Sequence, residues 1–293
     1  MMLELAVADA YGACFETLSA KDIGDTNDLS YHKRLQPSII KRGKYTDDAQ
    51  MSIGVAEAIL ERDEWTKPYL AQKFVDVFRR DPRRGYTGPF FNILTECQTG
   101  GDLLSKVDGK SRKGGGCMRA GPCGLYPTLE EVQERAVEQA KITHNSVVGV
   151  MSAAAAAFMV HYFAYDLGEK ADLREWLHNN NFPSKVTGAI DDPEGEFRVW
   201  EPGQKVGNFG WSVVLAALAA IERTDSLAEC LKQCVAWGGD TDTVATVALA
   251  AASWSKEMKK DMPQGLVDML ENGRYGRDYL IELDNKLKAK FGL

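Results

Sequence analysis

The sequence predicts an all-α fold of many helices packed around one centre. Apolar residues recur at helical spacing along most of the chain and alternating, strand-like runs are scarce. Alanine-rich stretches at 153–157, 216–220 and 245–252 allow helices to approach closely. With 293 residues, 44% of them hydrophobic, the chain can bury a large core near the upper size of one domain, so a single domain over 1–293 is expected.

Taken in order, the first clear helix follows Thr46-Asp47-Asp48, where Met51, Val55, Ile59 and Leu60 keep helical spacing behind carboxylates that suit a first turn. Further helices are predicted over 67–80, 129–140, 146–167, 211–222, 226–236, 242–255 and 263–272. Positions 146–165 carry no formal charge, which on length alone fits a membrane span. The run is only mildly apolar and Asp166 follows at once, so a buried core helix and no membrane are expected. The stretch 100–124 is rich in Gly, Lys and Ser and reads as a functional loop. A second polar loop, about 181–209, reads as the edge of a cleft.

A net charge of −7 disfavours a general nucleic-acid binder, because phosphate-backbone affinity rests on clustered Lys and Arg. The six cysteines, at 14, 97, 117, 123, 230 and 234, show no CxxC spacing, which favours a reducing compartment. Met1-Met2-Leu3-Glu4 has no basic region leading into an apolar one, so no secretory signal is read and a cytoplasmic location is expected. Cys230 and Cys234, one helical turn apart, read as buried reduced thiols.

Two acidic motifs carry the chemistry: Tyr45-Thr46-Asp47-Asp48 and Gly238-Gly239-Asp240-Thr241-Asp242-Thr243. Either alone is ordinary N-cap material. Together they exceed what capping needs, and carboxylates converging on one spot repel unless cations sit between them. Oxygen donors without His or Cys favour magnesium or manganese over zinc. The spacing is not that of an EF-hand loop, and Leu104 stands where a Walker A loop ending in Gly109-Lys110-Ser111 needs glycine. The run Gly114-Gly115-Gly116 before Met118 and Arg119 suits close backbone approach to an anion, with Arg119 pairing structurally as the alternative. Trp237 is read as either a pocket floor or plain packing.

Tyr45-Thr46-Asp47-Asp48-Ala49-Gln50-Met51, Gly116-Cys117-Met118-Arg119, Thr143-His144 and the second acidic motif, in that order, resemble the ADP-ribosylglycohydrolase family, which includes the dinitrogenase-reductase-activating glycohydrolases. Ala8-Asp9-Ala10-Tyr11-Gly12 followed by Glu16 is similar to the family's first helix. The resemblance covers nearly the whole chain. It implies a compact orthogonal bundle with a central dinuclear site of two Mg2+, Mn2+ being possible. The metal ligands it implies are Thr46, Asp47, Asp48, Asp240, Asp242 and Thr243. Glu16, Asp47 and Asp48 would be catalytic; Gly114, Gly115, Gly116, Met118, His144 and Gly239 would bind substrate. Glu16 is placed on the same face of the first helix as Asp9, with the end of that helix as its bland alternative.

The activity so implied is magnesium-dependent removal of ADP-ribose from modified protein side chains, most of all ADP-ribosyl-arginine. Its alternatives are an O-linked hydrolase acting on ADP-ribosyl-serine or O-acetyl-ADP-ribose, and a catalytically silent ADP-ribose-binding relative. The expected partner is an ADP-ribosylated protein or small ADP-ribose conjugate, and the expected state a monomer.

Overall fold

Fourteen α-helices and no β-strand form among the described residues, 1–30, 42–181 and 200–293 of this computed structural model. The first seven are α1 (Met2–Gly12), α2 (Ala20–Ile23), α3 (Asp47–Glu61), α4 (Lys67–Arg80), α5 (Gly88–Glu96), α6 (Gly100–Lys106) and α7 (Leu129–Ala140). The rest are α8 (Val147–Ala164), α9 (Leu173–Asn181), α10 (Gly210–Arg223), α11 (Leu227–Ala236), α12 (Thr241–Ala252), α13 (Gln264–Met269) and α14 (Arg277–Phe291). The all-α class expected from the sequence is the one observed.

Helix α12 is the axis of the molecule. Every one of its residues is buried, and it packs on α1, α8, α10 and α11. A helix apolar on all sides can lie only inside a protein or a bilayer, and its alanines let four neighbours close around it. Its second acidic motif is therefore carried into the interior. Helix α8 is 18 residues long with a mean hydropathy of 1.7, and 83% of it is buried within the fold. It is a core helix, begun by Ser146, whose hydroxyl accepts the Gly149 amide.

Gly12 sets how closely α1 meets α12. A Cβ there would lie 2.6 Å from the Asp242 Cα, so only glycine permits this crossing. Thr241 Oγ1 then donates to the Gly12 carbonyl at 2.8 Å, satisfying an otherwise unpaired helix-end acceptor.

Several expectations need correction. Helix α1 ends at Gly12, so Glu16 lies on the following turn and shares no continuous helical face with Asp9. The loop over 100–124 begins with a helix, α6, because Thr99 and Asp102 form a capping box. Helix α13 is shorter than 263–272. Helices α2, α5, α9 and α14 lie outside the predicted segments, although Leu280, Leu283 and Leu287 give α14 a buried stripe at helical spacing. The second expected loop falls largely on 182–199, outside the described residues.

Helix α14 docks on α1 and α3. The Asp284 carboxylate accepts the Met2 amide at 2.8 Å and the Leu3 amide at 3.2 Å, so the last helix caps the first.

Candidate metal centre and substrate cleft

The N-terminal ends of α3 and α12 open into one cleft of about 910 Å3. Asp47, Asp48, Asp240, Asp242 and Thr243 line it together with Glu16 and Gly239. Gly114, Gly115, Met118 and His144 line it as well. Two predicted residues stand behind this surface. Thr46 is buried beneath Asp47, and Gly116 is buried with its carbonyl accepting Gln139 Nε2 at 2.9 Å.

Asp9 holds the first acidic motif in place. Thr46 is the N-cap of α3 but its own side chain makes no cap bond; the Asp9 carboxylate accepts the Thr46 amide at 2.8 Å and the Ala49 amide at 2.9 Å instead. The Thr46 hydroxyl donates to Asp9 at 2.7 Å, which leaves its oxygen lone pairs unclaimed by that bond. Sequence reasoning had not made Asp9 a site residue. Its signal is a carboxylate between Ala8 and Ala10, in the apolar stretch that follows Glu4.

At the second motif, Gly239 has φ +93°, and a Cβ there would lie 1.9 Å from the Val206 carbonyl oxygen. Both of its backbone groups are committed: its amide donates to Leu18 at 3.0 Å and its carbonyl accepts Thr17 at 2.8 Å. The turn bearing Glu16 is thereby fastened to the start of α12. Trp237 makes a T-shaped contact with Trp200, centroids 4.6 Å apart, and does not line the cleft, so it packs.

The electrostatics follow from crowding. Burial raises the pKa of Asp47, Asp48, Asp240 and Asp242, and for Asp47, Asp48 and Asp242 the neighbouring carboxylates raise it further. Burial, then Asp240 and Asp9, push Glu16 up to about 7. Burial raises Asp9 to about 6 against the opposing pull of its three hydrogen bonds. Asp48 Oδ1 is buried with no hydrogen-bond partner. Among the described residues the carboxylates line one cleft without three of them closing on a single point. The donor chemistry nevertheless fits a hard divalent cation: all-oxygen donors, mutual repulsion in a low-dielectric setting and an orphaned carboxylate oxygen.

On the other side, Gly114–Gly116 form a 3-10 turn. The Gly114 amide already donates to the Asn208 carbonyl at 2.9 Å, so the expected anion loop has one amide fewer to offer. An added Cβ on Gly115 would lie 2.7 Å from His144 Cε1; the imidazole occupies that space. His144 Nδ1 lies 2.6 Å from Thr143 Oγ1, which accepts Arg119 Nη2 at 2.8 Å. If the Thr143 hydroxyl donates to Nδ1, the proton of the neutral imidazole is on Nε2. Burial, with the charges of Arg119 and Lys113, pushes the His144 pKa down to about 3, keeping the ring neutral. Arg119 is itself buried, bonded to Gln139 and Thr143 and stacked over Phe74, so its structural reading holds.

The family model for ADP-ribosylglycohydrolase matches residues 1–292. The chain belongs to the ADP-ribosylglycohydrolase family. It is similar to ADP-ribosylhydrolase ARH3 from Mus musculus, 24% identical over 297 residues spanning 84% of this chain and 80% of that one. ADP-ribosyl-(dinitrogen reductase) glycohydrolase from Rhodospirillum rubrum is 23% identical over 287 residues, 92% of this chain and 88% of its own. A solved structure described as an ADP-ribosylglycohydrolase-related protein complex shares the fold with a TM-score of 0.71 at 21% identity, covering 98% of this chain and 95% of its own. Membership makes the chain a hydrolase by class, with ADP-ribosylated compounds as the family's substrates.

Proposed function

We propose that this chain is a magnesium-dependent hydrolase that releases ADP-ribose from modified protein side chains, ADP-ribosyl-arginine foremost. One observation carries the reading: two acidic motifs distant in sequence share a single cleft with the Gly115–His144 contact. Thr46, Asp47, Asp48, Asp240, Asp242 and Thr243 would hold two Mg2+, or Mn2+. When bound, such a pair orients ribose hydroxyls and acidifies water for attack at C1″.

The chain's own residues do the rest. Glu16, on its turn beside Asp240, takes the proton of the attacking water. His144 Nε2–H donates to an oxygen of the ribose or diphosphate, and the neutral ring adds no charge of its own. Gly115 and Gly116 allow the backbone close to the diphosphate. Glu16 and Asp108, the carboxylates of the cleft outside the metal-ligand set, suit a cationic acceptor, which supports arginine as the modified residue. The name of the Rhodospirillum rubrum relative, which sets ADP-ribose on a protein, also supports a protein substrate. Six free cysteines fit a reducing cytoplasm. We further read the chain as acting as a monomer.

The test is direct. The purified protein with magnesium is incubated with separately prepared arginine-, serine- and cysteine-linked ADP-ribosyl proteins, and products are identified by mass. Intact ADP-ribose released from the arginine-linked substrate is expected. Release from the serine-linked substrate alone would move the activity to O-linkages, and no release from any of them would leave a silent binder.

A further inference from the structure

Four cations line the cleft among the described residues: Lys106, Lys113, Arg119 and Lys205. Three are committed to the protein. Lys106 pairs with Glu96 at 2.6 Å, Lys205 Nζ donates to the Thr17 carbonyl at 2.7 Å, and Arg119 is tied to Gln139 and Thr143. The Lys113 ammonium has no hydrogen bond or ion pair among the described residues, although five carboxylates of the catalytic and metal-ligand set line the same cleft.

Its main chain, in contrast, is pinned on both sides. The Gly210 amide donates to the Arg112 carbonyl at 3.0 Å and the Gly114 amide to the Asn208 carbonyl at 2.9 Å. The side chain thus springs from a fixed point directly before Gly114–Gly116. Lys113 lines the cleft together with Gly114, Gly115, His144 and Asp240. The same turn has lost its Gly114 amide to Asn208 and its Arg119 to the interior, so two donors that a phosphate would use are turned away.

We propose that Lys113 is the phosphate-facing cation of this cleft and makes it selective for diphosphate-bearing ribosyl conjugates over simple ribosides. The inference rests on the functional reading above. A diphosphate carries two negative charges, and one uncommitted ammonium directly before the glycine turn supplies the attraction that the turn by itself lacks.

The experiment measures ADP-ribose, adenosine and ribose binding by calorimetry in magnesium for wild type, Lys113→Met, Lys113→Glu and Lys113→Arg. Position 113 is exposed, so these variants should melt as wild type does. Lys113→Met should weaken ADP-ribose binding about tenfold, Lys113→Glu more, and Lys113→Arg should largely restore it. Adenosine and ribose should bind all four proteins alike, and added salt should weaken wild type more than Lys113→Met. ADP-ribose affinity unchanged in both Lys113→Met and Lys113→Glu would overturn the inference while leaving the functional reading intact, as would an equal loss for adenosine. A wild-type protein that binds no ADP-ribose would overturn both.

Discussion

Asp9 on α1 caps α3 from across the bundle, holding Thr46 by its amide at 2.8 Å and its hydroxyl at 2.7 Å. A helix start normally finds its acceptor in its own N-cap side chain. Here that side chain is the one expected to ligate metal, and another helix supplies the cap.

Asp9→Asn keeps the shape of this contact and brings an NH2 group against one of three donors. It should destabilise the metal-free protein by about 1–3 kcal/mol in denaturant melts, the scale of an unsatisfied buried donor. Magnesium affinity, measured by calorimetry on the folded variant, should fall about 10–100-fold, as for groups that orient a ligand. Unchanged affinity would reduce Asp9 to a helix cap.

Asp240→Ala removes a donor and one charge from a crowded set. Turnover should fall about 10²-fold or more, and chelator should abolish wild-type activity until magnesium or manganese is returned. In chelator the variant should melt higher than wild type, since repulsion is relieved when no cation screens it. Full wild-type activity in chelator would refute the metal reading.

Glu16→Gln preserves size while removing basicity. Turnover should drop about 10²–10⁴-fold with ADP-ribose binding nearly unaltered, the signature of a lost general base. Wild-type turnover would leave Asp47 and Asp48 as the remaining candidate bases.

His144 gives a pH prediction of definite sign. Its pKa lies near 3 in the fold against 6.5 for the free group, so below pH 6.5 the unfolded chain binds a proton that the native state refuses. The stability linked to this group is full above about 6.5 and is lost as pH falls toward 3. Imidazole NMR shifts should show no titration of His144 above about pH 4, and His144→Gln should flatten the stability profile across that window. A native titration midpoint near 6.5 would contradict this account.

Much of the site could be read from residue types alone, because a pair of carboxylates beside a hydroxyl at a helix start is a local pattern. The two acidic motifs needed no tertiary knowledge to be singled out, whereas the set Thr46, Asp47, Asp48, Asp240, Asp242 and Thr243 as ligands is what the family resemblance implies. What remained hidden was long-range. Asp9 looks like any polar residue until α3 is set beside α1, and Gly114 looks like a free amide until Asn208 arrives opposite it. Glu16 was found but put on the wrong element, because nothing local marks the end of α1 at Gly12; the crossing with α12 does. Helix α14 is legible locally, since Leu280, Leu283 and Leu287 stand at helical spacing in the sequence.

The two carboxylate caps act in series, Asp284 of α14 on the start of α1 and Asp9 of α1 on the start of α3. The first of these bonds joins residues 282 positions apart. A link of that separation ties the two ends of the described fold together. The support of the first acidic motif therefore reaches, through α1, to a carboxylate on α14. Loosening α14 would thus be felt at the start of α3, relayed by the helix between them.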